Sequence, residues 1–481
     1  MTPRAISAIA GSCVPIACAA VACFAIASTA ATAAAQQQSA TNFHQLGHAI
    51  LRELIETNST GSAGNTTIIA QQLQTRFQDA GFPAADIVVV GPTPKNQNLV
   101  VRYRGRAGGA LKPVLLLAHV DVVEAKREDW TYDPFVLTEH DGYFYGRGTQ
   151  DQKGGAAMLV TTLLRLKAER WVPDRDLILA LTAGEEGGMP YNGVEWLLKN
   201  KRDLIDAEYT INVDAGGGEL ENGKHTLFDL QAAEKVFHSV TLTVRNPGGH
   251  SSLPRRDNAI YTLAAALDRL SKYDFPVKPN AVVKAYFAKA AATVAPNVAA
   301  DMRKVADGGA DAATYARLSR TPLYNALLRT TCVATMLEGG HAQNALPQTA
   351  RATVNCRMLP GDDPAAVEQT IVRVVNDSAV HMTPADTAKP SPASPLRPDL
   401  LAAVGASVNA IWGPVPIVPI METGATDGLY LRNAGVPVYG FSGLFIATND
   451  VRAHGKDERI LITAFDEGLD FTYDLVKRIT R

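Results

Sequence analysis

Residues 114–121 read VLLLAHVD, an apolar run that ends on a histidine and an aspartate. Two later stretches repeat this pattern, LILALTAGEE at 177–186 and YTINVD at 209–214. Continuous runs of Val, Leu and Ile are typical of parallel strands buried on both faces, and open α/β sheets bind ligands beyond the carboxyl ends of their strands. The pattern therefore predicts that several strand ends meet at one metal site. The polar residues at these ends are His119, Asp121, Glu185, Glu186 and Asp214.

The chain has 481 residues and 46% hydrophobic side chains, which is more than one compact core usually holds. Two domains are therefore expected. The formal net charge is −2, and acidic and basic residues are mixed along the sequence. Because there is neither a basic surface nor an acidic tail, no nucleic acid is expected as a partner.

The first 35 residues predict a cleaved secretory signal peptide. Arg4 precedes an Ala-rich apolar stretch that ends at Ala35, just before three glutamines at 36–38. A retained membrane anchor is one alternative, because the stretch is long enough to span a bilayer, and a lipid anchor on Cys23 is another. The small, weakly apolar residues favour cleavage. We therefore expect an exported protein, periplasmic or secreted, with no membrane span after cleavage.

Three of the five cysteines lie in this leader, so the mature chain keeps only Cys332 and Cys356. Two cysteines cannot form a disulfide framework. They could pair in an oxidising compartment, but two buried thiols are the favoured interpretation. No residue near either one in sequence supplies a base, so neither is expected to be catalytic.

Helical and strand patterns alternate after the leader and again near the C-terminus, which predicts one α/β domain with a mixed, mostly parallel sheet flanked by helices. The predicted helices are 43–55, 67–77, one that begins near Gly154, 400–411 and 462–479. The predicted strands are 87–90, 99–103, 114–118 and 436–441.

Between these halves the pattern changes to that of a smaller α+β domain. Alternating strands near 236–246 and at 350–358, with helices at 258–270 and 363–375, predict a ferredoxin-like split βαβ sandwich. An Ala-rich stretch at 277–320 is interpreted as a helical insertion in that domain. The predicted organisation is a signal peptide at 1–35, a catalytic domain at 36–235 and 396–481, an inserted lid or dimerisation domain at 236–382, and a Pro/Ser-rich linker at 383–395.

The strand-end residues, together with Asp151 and His454 in loops, offer imidazole and carboxylate groups without thiolate. Such a set suits zinc, manganese or cobalt, and a carboxylate such as Asp151 in a Gly-flanked loop could bridge two ions. A single strand-end Asp is more often a helix cap than a ligand, so the prediction depends on the combination. Of the adjacent Glu185 and Glu186, one can hold metal while the other accepts a proton from water; the alternative is a solvated acidic loop.

The order of these motifs resembles that of the dinuclear zinc metallopeptidases of the M20-like family. That family includes carboxypeptidase G, carboxypeptidase S, carnosinase, aminoacylase and succinyl-diaminopimelate desuccinylase. The resemblance covers nearly all of the chain after the leader. The matching motifs are His119-Val-Asp121, Gly148-Thr-Gln-Asp151 with Lys153-Gly-Gly155, Glu185-Glu-Gly187, Asp214 and the late His454.

The resemblance implies two divalent ions as cofactors, with zinc favoured and cobalt or manganese as alternatives. It implies that Glu185 is the general base, and that Asp121 accepts a hydrogen bond from His119 and fixes the orientation of the ring. The remaining residues would be metal ligands: one ion is held by His119 and Asp214, the other by Glu186 and His454, and both by Asp151.

The resemblance also implies roles for residues of the inserted domain. His250, in the segment PGGHSS at 247–252, matches a Gly-His-Ser element that reaches the active site, often that of a partner subunit, and would stabilise the oxyanion. Arg357 would bind a substrate carboxylate and Asn344 the substrate backbone. A homodimer and closure of one domain over the other are implied. From the residues alone, each of these could be structural, and Asp427 could line the pocket or cap a helix.

The predicted function is metal-dependent hydrolysis of an amide bond in a peptide, of the dipeptidase or carboxypeptidase type. An N-acyl amino acid deacylase is the alternative with the same chemistry. A non-catalytic peptide-binding protein of the cell envelope is the alternative from another class, and the free base Glu185 argues against it. The sequence contains neither a Gly-x-Ser-x-Gly elbow nor a Gly-x-x-x-x-Gly-Lys-Ser/Thr loop, which argues against a serine hydrolase and a nucleotide-binding protein.

Overall fold

The computed structural model describes residues 1–2, 42–106 and 110–481. The chain divides into two units, Met1–Leu46 and Gly47–Arg481, and in the first of them residues 42–46 are helical. Apart from its first two residues, the predicted signal peptide lies outside the described residues, as does Cys23. Among the described helices, none combines the length and apolar character needed to cross a membrane.

The strands of the described residues, in chain order, are β1 (Ile87–Val90), β2 (Asn98–Tyr103), β3 (Val114–His119), β4 (Thr138–His140), β5 (Tyr143–Tyr145), β6 (Leu177–Thr182), β7 (Tyr209–Asn212), β8 (Gly217–Glu221), β9 (Lys224–Glu234), β10 (Val236–Arg245), β11 (Gly249–His250), β12 (Thr331–Gly339), β13 (Ala345–Leu346), β14 (Thr349–Met358), β15 (Val380–Pro384), β16 (Ile417–Glu422), β17 (Val438–Gly440), β18 (Phe445–Ala447) and β19 (Arg459–Leu461).

The helices of the same residues are α1 (42–56), α2 (Thr66–Asp79), α3 (Lys153–Ala168), α4 (Gly193–Asn200), α5 (Arg202–Ile205), α6 (Ala259–Ser271), α7 (Ala281–Ala290), α8 (Pro296–Asp307), α9 (Ala312–Leu318), α10 (Pro322–Leu328), α11 (Pro364–Val375), α12 (Pro398–Trp412), α13 (Gly428–Asn433) and α14 (Ile462–Ile479).

The large sheet has the strand order β1-β2-β6-β3-β7-β17-β9-β8-β18, and β16 also pairs with β9. The three apolar runs predicted to be parallel strands are β3, β6 and β7; they lie side by side and run parallel. Strands β1 and β2 extend the sheet antiparallel at one edge, and β8 and β9 are antiparallel near the other. The predicted α/β fold with a central mixed sheet is therefore confirmed.

The core of this domain lies on both faces of the sheet, because the strands are apolar on both sides. Leu115 and Leu117 pack with Val194 and Leu197 of helix α4 on one face. Leu116 points to the other face, where α3 and α14 lie and Leu159 and Phe471 line the same small cavity as Leu116. Burial on both faces explains why β3 and β6 read as continuous runs rather than as alternating patterns.

The inserted domain is built on a four-stranded antiparallel sheet with the order β12-β14-β10-β15. In chain order its elements are strand, helix, two strands, helix and strand, which is the ferredoxin-like arrangement. Helices α6 and α11 pack on one face, where Leu263 and Ile371 join the buried core of Val240 and Val354. Strand β15 ends at Pro384, two residues into the predicted linker.

The Ala-rich stretch forms helices α7 to α9, as its composition predicts, but α7 does not pack on the inserted sheet. It packs against β16 of the large sheet. Its buried face carries Val282, Val283 and Phe287, and the side-chain amide of Asn280, its N-cap, lies 3.5 Å from Sδ of Met421 on β16. The apolar face of β16 would be exposed to solvent without such a helix. The sequence pattern of α7 predicts a helix but does not indicate which sheet it packs against.

The prediction of two free buried thiols is wrong, because Cys332 and Cys356 form a disulfide. They lie directly opposite each other on the neighbouring strands β12 and β14, with their Cα atoms 4.0 Å apart. The cross-strand register decides the pairing, and local sequence patterns do not reveal that register. The disulfide ties the edge strand β12 to the middle of the inserted sheet.

A carboxylate of the large sheet, Asp229 on β9, is partly buried. Its Oδ1 atom has no hydrogen-bond partner among the described residues. Burial, followed by the like charges of Glu219 and Glu422, raises the pKa of Asp229 to about 8. The carboxyl group of Asp229 therefore keeps its proton up to about pH 8.

Candidate metal centre

The centre forms where β3, β6 and β7 end at the same edge of the large sheet. His119 is the last residue of β3 and lies opposite Thr182, the last residue of β6. Glu185 and Glu186 follow β6 after a turn, and Asp214 follows β7 by two residues. Parallel strands bring their carboxyl ends together, so side chains far apart in sequence meet here.

His119 lies between two carboxylates, and its side chain is 1% exposed. Its Nε2 atom is 3.0 Å from Oδ1 of Asp151 and 3.3 Å from Oδ1 of Asp214. Burial alone would lower the pKa of His119, but Asp214 and Asp151 outweigh it and raise this pKa well above its usual range. The two carboxylates therefore favour a positive charge next to Nε2, either a proton on the ring or a bound metal ion.

His454 repeats this arrangement on the other side of Asp151. Its Nε2 atom lies 3.0 Å from Oδ2 of Asp151 and 2.9 Å from Oε2 of Glu186. Hydrogen bonds to these two carboxylates raise the pKa of His454 to about 10. Burial of Asp151 is outweighed by its two histidine partners, which lower its pKa below the usual range. Each oxygen of Asp151 thus faces a different imidazole, which is the geometry of a bridging carboxylate.

Glu185 and Glu186 are held by a constrained turn. Gly184 precedes them with φ +87°, and a Cβ atom there would lie 2.0 Å from the carbonyl oxygen of Tyr191, so only glycine fits. The backbone N–H groups of Glu185 and Glu186 donate to Oδ1 and Oδ2 of Asp121 at 3.4 and 3.1 Å. Burial, then the nearby Asp214, raises the pKa of Glu185 well above its usual range.

The predicted contact between His119 and Asp121 is present, but through a different atom of Asp121. The Nδ1 atom of His119 lies 3.0 Å from the backbone carbonyl oxygen of Asp121, whereas the carboxylate Oδ1 is 3.7 Å away. The carboxylate is instead engaged by the turn that follows β6. Asp121 therefore orients His119 with its backbone and the Glu185-Glu186 turn with its side chain.

The donor set fits a pair of divalent cations. Two groups of three residues each place one ligand atom per residue within 4.8 Å of one another: His119 with Asp151 and Glu186, and His119 with Glu185 and Asp214. His454 belongs to neither group and joins the cluster through its contacts with Asp151 and Glu186. The Oε1 atom of Glu186 is buried and has no hydrogen-bond partner among the described residues. Burial raises the pKa of Asp214 to about 7. Crowded, desolvated carboxylates facing imidazole nitrogens are stabilised by cations, and nitrogen and oxygen ligands suit zinc, manganese and cobalt.

Among the described residues, no hydrogen bond or ion pair joins the predicted substrate residues of the inserted domain to this cluster. His250, on β11, is exposed and its Nδ1 atom lies 2.7 Å from Oγ of Ser252. Asn344 is brought close to it, because β11 pairs with β13 and the carbonyl oxygen of Asn344 accepts a hydrogen bond from the backbone N–H of Ser251 at 3.0 Å. Arg357 lies on β14 with its guanidinium 4.8 Å from the centre of the Phe237 ring.

Asp427, for which the sequence left two interpretations, precedes α13 but makes no side-chain cap there. It is buried beside the centre, where it accepts hydrogen bonds from the side chains of Thr182 at 3.1 Å and Asn192 at 2.5 Å. Burial raises the pKa of Asp427 to about 6. Asn192 also caps α4 by accepting from the backbone N–H of Glu195. Asp427 thus links the turn after β6 to α13.

The sequence interpretation missed two residues that hold the ligand loops, Glu458 and Gln150. Glu458 is fully buried and accepts hydrogen bonds from the loop that carries Asp151. The side chain of Gln150, next to Asp151, contacts the loop that carries His454. In the sequence, the one sign of the role of Glu458 is that it directly precedes β19. An acidic residue in that position is usually interpreted as part of a surface turn.

Comparison with known proteins agrees with this geometry. The model of peptidase family M20/M25/M40 matches residues 115–478. Human N-fatty-acyl-amino acid synthase/hydrolase PM20D1 is 29% identical over 383 residues, covering 76% of this chain and 74% of that protein. A probable carboxypeptidase S-like 2 from Dictyostelium discoideum is 27% identical over 403 residues, covering 79% of this chain and 74% of that protein.

Among solved structures, an M20 family metallo-carboxypeptidase from Sulfolobus solfataricus has a similar fold. The TM-score is 0.64 at 18% sequence identity, and the match covers 90% of this chain and 98% of that chain. The family match spans most of the chain, including β3, β6, β7 and the loop of His454. The chain therefore belongs to peptidase family M20/M25/M40, whose members are metal-dependent hydrolases of peptide and N-acyl amino acid amide bonds.

Proposed function

We propose that this protein hydrolyses the amide bond of N-acyl amino acids with a pair of divalent metal ions. The observation that carries the proposal is the position of Asp151, whose two oxygens lie 3.0 Å from the Nε2 atoms of His119 and His454. A carboxylate shared between two imidazoles is the arrangement expected of a ligand that bridges two ions.

In this proposal each ion has its own ligands. His119 and Asp214 would hold one ion, Glu186 and His454 would hold the other, and Asp151 would be shared by both. When bound, two divalent ions polarise the scissile carbonyl group and make a water molecule more acidic. Zinc is the proposed metal, and cobalt and manganese are alternatives that the same nitrogen and oxygen ligands accept.

Glu185 is proposed as the general base. It accepts a proton from water as the water oxygen bonds to the carbonyl carbon, and it then delivers this proton to the nitrogen of the leaving amine. The amide C–N bond breaks, and a carboxylic acid and an amine form. Its backbone N–H is bound by Asp121, which keeps the carboxyl group beside Asp214 and His119 while the side chain stays free to exchange its proton. A protein that only bound peptides would not need a free base here.

The substrate class is supported by two kinds of relative. The name of PM20D1, an N-fatty-acyl-amino acid hydrolase, favours an N-acyl amino acid, and the carboxypeptidase S-like relative favours a peptide as the second candidate. Both substrates carry a free carboxylate. We propose that Arg357 binds this carboxylate, that Asn344 contacts the substrate backbone, and that His250 donates a hydrogen bond to the oxyanion.

We further propose that the protein is a homodimer formed through the inserted domain. Strand β12 is an edge strand on which Val333, Met336 and Leu337 are 61%, 60% and 70% exposed. A groove of about 470 Å³ beside it is lined by apolar residues of α6, including Ile260. An exposed apolar edge strand favours pairing with another strand. The exposed His250 would then complete the centre of the partner chain.

We also propose that the protein is exported, since its Ala-rich N-terminus has the composition of a signal peptide. Mass spectrometry of the protein isolated from its natural host should detect a mature N-terminus near residue 36. A retained residue 1 would contradict cleavage of a signal peptide.

The proposed activity is tested on the purified protein. It should contain two zinc ions per chain, lose activity when a chelator removes them, and regain activity when zinc is added back. Parallel panels of N-acyl amino acids and dipeptides then compare the two substrate classes, and the N-acyl panel should give the larger kcat/KM. Full activity in chelator with no bound metal would contradict the metal mechanism, and no turnover of either panel would contradict the substrate class.

A further inference from the structure

We propose that Glu458 and Gln150 are positioning residues that fix Asp151 relative to His454 and so set the affinity for the metal pair. This inference rests on the proposed function, because it assumes that Asp151 and His454 are metal ligands. The two residues form a reciprocal contact between the 147–151 loop and the 450–459 loop, and we call this contact the loop clasp. Both side chains act on the backbone of these loops rather than on the ligand atoms of the centre.

Glu458 forms one half of the loop clasp. Its Oε1 atom accepts hydrogen bonds from the backbone N–H groups of Gln150 at 2.7 Å and Asp151 at 3.0 Å. Its Oε2 atom accepts from the guanidinium of Arg147 at 2.6 Å and from the backbone N–H of Gly148 at 3.0 Å. Glu458 is completely buried. One carboxylate therefore satisfies three backbone amides of the loop that presents Asp151.

Gln150 forms the other half and contacts the loop of His454 in the opposite direction. Its Nε2 atom donates to the carbonyl oxygens of Asp450 at 3.2 Å and Arg459 at 2.8 Å. Its Oε1 atom accepts from the backbone N–H groups of Arg452 at 2.8 Å and Ala453 at 3.1 Å. All hydrogen-bonding atoms of this amide are used, and the last partner immediately precedes His454.

Arg147 reinforces the loop clasp from the same side. Besides its ion pair with Glu458, it donates to the carbonyl oxygen of Gly455 at 3.0 Å, and its guanidinium lies 4.9 Å from the centre of the Trp130 ring. Both members of the ion pair are buried, with side chains 3% and 0% exposed. Buried charges of this kind persist only with paired, well-bonded partners, so their geometry is closely defined.

His454 itself has little packing to define its position. Its side chain is 56% exposed, and its backbone adopts φ +63°, a conformation that non-glycine residues rarely take. Its Nε2 atom must nevertheless lie about as close to Asp151 as that of His119 does. The side-chain contacts of Glu458, Gln150 and Arg147 relate its loop to Asp151, and the pairing of β19 with β5 brings the two loops side by side. Outer partners of this type commonly change metal affinity about 10- to 100-fold when they are replaced.

The test compares three variants of the full-length protein by competition with a chelator for bound zinc. Glu458→Gln keeps the size of the side chain but turns an amide NH₂ group toward two donors. Gln150→Met removes all four hydrogen bonds of the amide and leaves the Arg147–Glu458 ion pair intact. The matched control, Asp86→Asn, removes another buried carboxylate, one that binds Arg104 in bidentate fashion at 2.9 and 2.6 Å before β1.

We expect Glu458→Gln and Gln150→Met each to weaken metal binding about 10- to 100-fold, as for other outer partners of metal ligands. Their cobalt-substituted forms should also show altered visible absorption, which a loss of global stability would not produce. Asp86→Asn should lower the melting temperature and leave both readouts unchanged. If Glu458→Gln does not fold, Gln150→Met decides.

Folded variants with wild-type metal affinity and an unchanged cobalt spectrum would overturn the inference. Wild-type protein that binds no metal would instead contradict the proposed function, so the two failures are distinguishable.

Discussion

Glu185 and Glu186 are adjacent in sequence, yet the proposed mechanism gives them different tasks, and paired substitutions separate these tasks. Both backbone N–H groups are held by Asp121, at 3.4 and 3.1 Å, so replacing either side chain leaves the turn anchored. Glutamine is nearly isosteric with glutamate. The substitution Glu185→Gln therefore removes proton transfer and little else, and Glu186→Gln removes a charged ligand oxygen that lies 2.9 Å from Nε2 of His454.

The expected magnitude follows from the task that each side chain loses. General acid–base catalysis contributes about 10²- to 10⁴-fold to a rate, so Glu185→Gln should lower kcat about a thousandfold, or about 4 kcal/mol in the activation barrier. Its KM and its two bound metal ions should be unchanged. Glu186→Gln should bind only one ion tightly, because the second site keeps only His454 and a share of Asp151.

The assay combines steady-state kinetics on an N-acyl amino acid with metal analysis of the same preparations. Metal content is the decisive readout, since both variants lose activity. Glu185→Gln with one ion missing would show that Glu185 is a ligand rather than the base. Glu185→Gln with wild-type kcat would remove it from the mechanism altogether.

Three further predictions concern stability and assembly. Burial raises the folded-state pKa of Asp229 from 3.8 to about 8, so the folded protein binds this proton more tightly than the unfolded chain does. In urea unfolding, the wild-type protein should therefore lose stability relative to Asp229→Asn as pH rises from 4 to 8, by at most about 1.4 kcal/mol per pH unit. A stability difference between the two proteins that does not change with pH would refute this. Replacing Cys332 and Cys356 by alanine should cost about 3 kcal/mol, given their separation of 24 residues, with kcat unchanged. Leu337→Glu should yield monomers in sedimentation velocity, and a persisting dimer would argue against the β12 interface.

The main features of the fold were predictable because they depend on local patterns. The C-terminal helix was predicted at 462–479, and α14 covers those residues. The apolar runs at 114, 177 and 209 could be interpreted as neighbouring parallel strands, because each is apolar on both faces and ends on polar side chains. Asp151 and His454 lie in loops rather than at strand ends, so only their side-chain chemistry made them candidates, and the resemblance to a family gave each of them a definite role.

Other features depend on contacts between distant parts of the chain. The disulfide requires the register of β12 against β14, and the packing of α7 on β16 requires the outer part of the large sheet to be in place. Glu458 bonds Asp151 across 307 residues of sequence, so no local pattern could reveal it. Asp121 was expected to accept a hydrogen bond from His119, but the atom that accepts it could not be predicted. It is the backbone carbonyl oxygen, because the Glu185-Glu186 turn occupies the carboxylate.

The interleaved order of the strands has a consequence for biosynthesis. The inserted sheet is contiguous in sequence, and its last strand, β15, ends at Pro384. The large sheet still lacks β16, β17 and β18 at that point, and β17 fills the position between β7 and β9. On the ribosome the inserted domain can therefore finish folding while the surrounding sheet is open, and the metal centre forms only after His454 emerges. A chain that terminates between Pro384 and that histidine keeps all four strands of the inserted sheet but lacks one of the proposed metal ligands.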